Sequence, residues 1–226
     1  TYSLNGGTSV DLSIGPDDLR LAREGDFNVD PAFADLDGSP TDDELVITAT
    51  DSLGNVTNAT VFIDYEAGNT WPQPYTVDWS SVTDIQNVAQ VVDGKWAVEG
   101  DTVRTLEPGY DRLIAIGETS WDNYEVTSTI TINEIPSDTD NGIGFIVGWT
   151  GHTEDGRQPK SDFRPYGAIA WYRSGGLRIT SNSGGNTFPD TPITLQEGGS
   201  YLFKLRSERT RNNTRTLYSF KVWEQG

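Results

Sequence analysis

The sequence predicts an all-β protein built as two successive sandwiches, on three observations. Residues 124–133 (YEVTSTITIN) put Tyr124, Val126, Ile130 and Ile132 on one face and Glu125, Thr127, Thr129, Thr131 and Asn133 on the other. That period of two is the mark of a half-buried strand. Aromatic residues make up 11% of the chain, and their flat, wide side chains suit a pleated surface. The 24 Gly and 11 Pro supply turns, and amphipathic helical spacing is nearly missing.

Along the chain, residues 2–12 (YSLNGGTSVDL) read as two short strands around an Asn5-Gly6 turn, since both residues tolerate positive φ. Residues 44–50 (ELVITAT) are a strand, 51–55 (DSLGN) a turn and 59–65 (ATVFIDY) the returning strand. Charge density and pattern then change across 66–70 (EAGNT), which sets domains at 1–68 and 69–226. Residues 142–149 (GIGFIVGW) are continuously apolar or Gly, as a central strand covered on both faces would be, and 166–172 (YGAIAWY) read the same way. Residues 201–209 and 217–223 form a long hairpin with a polar tip at 210–214 (TRNNT). Trp71, Trp79, Trp96, Trp121 and Trp171 are assigned to the core.

The formal charge is −18, and residues 1–70 hold 14 acidic against 2 basic residues. Such a chain repels nucleic acid and anionic membranes, so no nucleic-acid partner and no membrane insertion are expected. No stretch approaches the roughly 20 apolar residues that span a bilayer. Without cysteine, disulfides and thiolate metal sites are excluded.

Residues 45–65 (LVITATDSLGNVTNATVFIDY) resemble the last two strands of bacterial immunoglobulin-like repeats, which end in a Thr- and Val-rich strand, an Asp-x-x-Gly-Asn turn and another Val-rich strand. Four or five strands are legible in residues 1–65 where such a sandwich has about seven, so the segment is read as partial, with strands expected upstream of Thr1. Residues 111–132 (DRLIAIGETSWDNYEVTSTITI), 141–149 (NGIGFIVGW) and 166–173 (YGAIAWYR) resemble the concanavalin-like superfamily, which includes laminin G domains and legume lectins. The resemblance implies a jelly-roll sandwich lacking its last strand, and it places the chain outside the cell or on its surface, within a larger protein.

Catalysis is not expected. Catalytic concanavalin-like relatives carry a Glu-x-Asp-x-x-Glu strand, and glycoside cleavage needs two carboxyls about 5 Å apart in the retaining case. Residues 142–149 carry no acid at all. Calcium is the candidate cofactor, because laminin G domains and many adhesin repeats bind it and Ca²⁺ prefers carboxylate oxygens. The acidic residues Asp17, Asp18, Asp35, Asp37, Asp42, Asp43 and Glu44 could supply ligands, but no set is specified, and residues 138–142 (DTDNG) fail the spacing of a calcium loop.

Carbohydrate recognition is the expected function. Residues 150–165 (TGHTEDGRQPKSDFRP) form a connection far longer than a usual hairpin loop, and long loops often carry function. The candidate ligand residues are Trp149, His152, Arg157, Asp162, Arg164 and Tyr166, which offer planar polar groups for hydroxyls and aromatic faces for C–H surfaces. The partner would be a glycan or cell-surface polysaccharide. The competing expectations are a structural spacer or filament subunit completed by strand exchange between copies, and the accessory module of a polysaccharide-degrading enzyme.

Overall fold

The computed structural model describes residues 1–17, 19–37, 42–65, 71–107, 109, 111–135, 142–182, 185–189, 191–210, 212 and 214–225. The protein is all-β. Among the described residues its only helices are three turns of 3₁₀ type, each of three residues. Two compact units make up the chain. The first comprises Thr1–Gly117 and Glu154–Asp162, the second Glu118–Thr153 and Phe163–Gly226. The boundary expected at 66–70 lies outside the described residues.

The first unit begins with β1 (Tyr2–Leu4), β2 (Asp43–Thr50) and β3 (Val56–Ile63), an antiparallel sheet in the order β1-β2-β3. Asn5 and Gly6 both take positive φ, and the Gly7 N–H closes the turn on the Leu4 carbonyl at 2.8 Å. The turn is therefore as expected, but the second strand shrinks to one bridge, Tyr2 with Val10, and β1 spends its other edge on β2. Asp51 organises the β2–β3 turn by accepting from the Leu53 and Asn55 N–H groups, each at 2.8 Å. The turn closes at Asn55, so β3 starts at Val56, earlier than the strand expected from residue 59. Two small ladders follow: β4 (Gln90–Asp93) with β7 (Leu113–Ala115), and the hairpin of β5 (Trp96–Glu99) with β6 (Thr102–Thr105).

The second unit holds two sheets. β9 (Gly142–Val147), β10 (Ala168–Arg173), β11 (Gly176–Ser181) and β12 (Asn186–Thr187) run in the order β12-β11-β10-β9. β8 (Glu125–Thr131), β13 (Ser200–Arg209) and β14 (Thr216–Glu224) run in the order β14-β13-β8. The predicted β13–β14 hairpin is present, although residues 211 and 213 of its tip lie outside the described residues.

Alternation decides which side chains meet. Tyr201, Phe203 and Leu205 of β13 are buried while Leu202, Lys204 and Arg206 are not. Tyr172 and Leu177 of one sheet share a cluster with Tyr201 and Phe203 of the other, and Val147, Ala168 and Ala170 share a second with Leu205. Burying aliphatic and aromatic side chains of this size stabilises by about 1.5–3 kcal/mol each.

Two expectations are corrected here. β9 is not central: it lies at the end of its sheet, and Gly142, Ile143 and Gly144 are exposed. Its glycines answer a close approach instead, since a Cβ at Gly144 would overlap the Ala170 carbonyl oxygen. The five tryptophans assigned to the core are all half-buried, none fully. Trp171 alternates with the buried Ala170 and Tyr172 and so projects from the opposite face of β10.

Candidate functional site

The connection at residues 150–165 is built from both units, and each part is fixed by its own unit's chemistry. In the second unit the chain leaves β9 at Gly148, whose N–H donates to the Tyr124 hydroxyl at 3.0 Å. Burial raises the pKa of that hydroxyl, against the opposing pull of the Gly148 N–H. Trp149 then turns its Nε1–H onto the Phe163 carbonyl at 3.0 Å, which joins the two ends of the connection. The His152 ring stands edge-on to Trp149, with centroids 5.3 Å apart. The Thr153 hydroxyl donates to the Arg164 carbonyl. Arg164 is exposed, and no hydrogen bond or ion pair holds its guanidinium among the described residues. Tyr166 is only 6% exposed and stacks on Phe163, centroids 5.7 Å apart. Its role is to support the strand entry, and its ring face is covered.

Residues 154–162 belong to the first unit, and this is where the connection is pinned. Arg20 lies at the centre, 5% exposed, with a fork of donors that suits carboxylates. It pairs with both oxygens of Asp30, at 2.6 and 2.9 Å, and with the fully buried Asp93. Its Nη1 also donates to the Lys160 carbonyl at 2.7 Å. Burial alone would lower the Arg20 pKa, but the bonds and charges of Asp30 and Asp93 outweigh it and raise the value. Asp30 in turn accepts from the Lys160 N–H at 2.9 Å, and the Gln158 side chain both accepts from and donates to the Asp30 backbone. The Lys160 ammonium pairs with Glu154.

Asp155 ties the same stretch to itself. It accepts from the Ser161 hydroxyl at 2.6 Å, the Ser161 N–H and the Arg157 N–H. The Ser161 bond is the main reason its carboxyl is held below the usual carboxylate range. Arg157 and Asp162 are both exposed on this segment.

The six candidate ligand residues therefore divide. Trp149, His152, Arg164 and Tyr166 belong to the second unit, with Trp149 and His152 in contact. Arg157 and Asp162 belong to the first. The charged middle of the connection is largely committed to structure, through Glu154, Asp155 and Lys160.

Two of the carboxylates proposed for calcium also have structural work. Asp17 accepts from the Leu19 and Leu21 N–H groups, and the buried Asp43 accepts from Asn5 Nδ2 at 2.5 Å and from the Asp37 N–H. Among the described residues no three Asp, Glu or His side chains converge as metal ligands. Asp18, Asp138 and Asp140 lie outside the described residues.

Two groups escaped sequence reasoning. Arg20 had a signal, because it is one of only two basic residues among the 14 acids of positions 1–70. The other is an aromatic-cationic face on β10 and β11, where Trp171 carries the guanidinium of Arg173 at 4.8 Å and that of Arg178 at 5.9 Å from its ring centre. The chain matches no protein-family model, no curated protein and no solved structure.

Proposed function

We propose that this chain is a non-catalytic, extracellular carbohydrate-binding module of a surface or secreted protein. In this reading residues 1–68 form part of an immunoglobulin-like sandwich and residues 69–226 a concanavalin-like jelly roll. The shared clusters of the two sheets in the second unit support the sandwich assignment. One observation carries the functional reading: Trp149 is fixed by its bond to Phe163, contacts His152, and shares the second unit's part of the connection with the exposed Arg164, whose guanidinium has no partner among the described residues. An indole held in place, with hydrogen-bonding side chains beside it to read hydroxyls, is what sugar recognition requires.

The test is a glycan array with the full chain, followed by titration of the glycans it selects. Trp149→Ala and Arg164→Ala are each expected to weaken binding about tenfold, the loss of one good contact. Binding untouched by both substitutions, no binding to any glycan, or turnover of a bound polysaccharide would each overturn the proposal.

A second reading, a subunit that pairs with copies of itself, draws on β3. It lies at the end of its sheet and exposes Val56, Val61 and Phe62 at 60%, 51% and 64%. Its sequence VTNATVFI has no charge and no proline, the devices that normally block edge pairing. Sedimentation velocity decides this reading: self-association abolished by Val61→Lys supports it, and a strict monomer rejects it.

A further inference from the structure

We infer that the outward face of β10 and β11 around Trp171 and Arg178 is a second saccharide site, selective for sugars that carry a carboxylate. The inference rests on the reading of the chain as a glycan-binding module, and it does not use the connection at 150–165.

Register builds this face. Trp171 lies directly opposite Arg178 on β11 and opposite Gly144 on β9, and Arg173 lies opposite Gly142. Residues paired this way in an antiparallel sheet project to the same side. Beside the indole and its arginine, β9 therefore contributes no side chain, and Gly142 and Gly144 are exposed. The Arg173 guanidinium packs over the indole, and Arg178 approaches from the other neighbouring strand.

Two of the side chains on this face, Arg178 and Trp171, use their donors poorly. Arg178 donates through one nitrogen, Nη2, to the Arg173 carbonyl and the Ser174 hydroxyl, both at 3.2 Å, the long limit for N–H···O. It makes no ion pair among the described residues. Its Nε–H and the Trp171 Nε1–H are buried, and neither has an acceptor among the described residues. Buried donors of this kind are rare and call for a partner.

A carboxylate is the acceptor that suits them. It takes two parallel bonds from a guanidinium, which are shorter and stronger than the two long bonds that Arg178 would give up. A pyranose ring adds C–H surface for the indole, which an acidic peptide side chain does not. The net charge of −18 opposes an anion only at long range, because screening acts over about 8 Å at physiological salt while the guanidiniums lie within 6 Å of the indole.

The seven tryptophan indole N–H signals give a site-resolved test in nuclear magnetic resonance spectra of the full chain, with Trp171 and Trp149 assigned by substitution to Phe. A galacturonate trisaccharide is expected to move the Trp171 signal, and neutral maltotriose and a glutamate peptide are not. Arg178→Gln should weaken the galacturonate response about tenfold and Arg178→Lys should weaken it less, with the remaining indole signals reporting an intact fold. An equal response to maltotriose or to the peptide, or a response unchanged in both variants, would overturn the inference. A galacturonate trisaccharide that moves Trp149 and leaves Trp171 still would sink this site alone. Sugars that move neither would sink the glycan reading with it.

Discussion

At the residue scale the strongest commitment in the molecule is the buried cluster of Arg20, Asp30 and Asp93. Asp93 is 1% exposed and Arg20 5%, so water cannot replace either partner if the other is removed. Leaving a buried charge without its partner costs about 3–5 kcal/mol, whereas replacing both by apolar groups can be close to neutral. Arg20→Met is therefore expected to destabilise the first unit by about that amount in urea denaturation, because it takes the guanidinium away from the buried Asp93 carboxylate and from Asp30. The pair Arg20→Met with Asp93→Leu should cost less than Arg20→Met alone, because no buried carboxylate is then left at position 93. Equal or greater loss in the double variant would mean that the cluster contributes net stability beyond mutual compensation. The sequence carried half of this result. Arg20 could be marked as a cation in an acidic segment, but its partners lie at positions 30 and 93, and separations of that size leave no local pattern.

At the element scale, alternation was legible wherever one face of a strand is covered. β8, β13 and β14 follow their patterns because polar and apolar positions take turns along them. β9 and β10 were not legible in the same way. A continuous apolar run fits either face and any position in a sheet, so neither the edge place of β9 nor the outward turn of Trp171 could be read. The split of residues 150–165 between the units was hidden for a related reason: it depends on Asp30 and Arg20, which are far away in sequence. Glycine resolves β9 in structural terms. A Cβ at Gly144 would meet the Ala170 backbone, whereas one at Gly176 would meet nothing within 4 Å. Gly144→Ala is expected to lower stability by about 1–3 kcal/mol, as overpacking does. Gly176→Ala should stay within about 0.5 kcal/mol of the parent. Thermal midpoints of the two variants check this, and a neutral Gly144→Ala would show that β9 can move away from β10.

At the scale of the whole molecule, net charge and the open strand β3 pull in opposite directions. Each copy carries −18, which keeps copies apart. β3 offers an uncharged row of backbone donors and acceptors with Val61 and Phe62 exposed, which draws copies together. The two terms differ in range. Repulsion between the acidic surfaces reaches about 30 Å at 0.01 M salt and only about 8 Å at 0.15 M, whereas strand pairing acts at contact and is little screened. If copies pair through β3, sedimentation velocity should show monomer at low salt and a growing associated fraction as salt rises. Val61→Lys should hold the chain monomeric throughout, because it puts an ammonium into the facing edge. The opposite trend, association that weakens with salt, would assign contact between copies to oppositely charged patches and would take β3 out of the account.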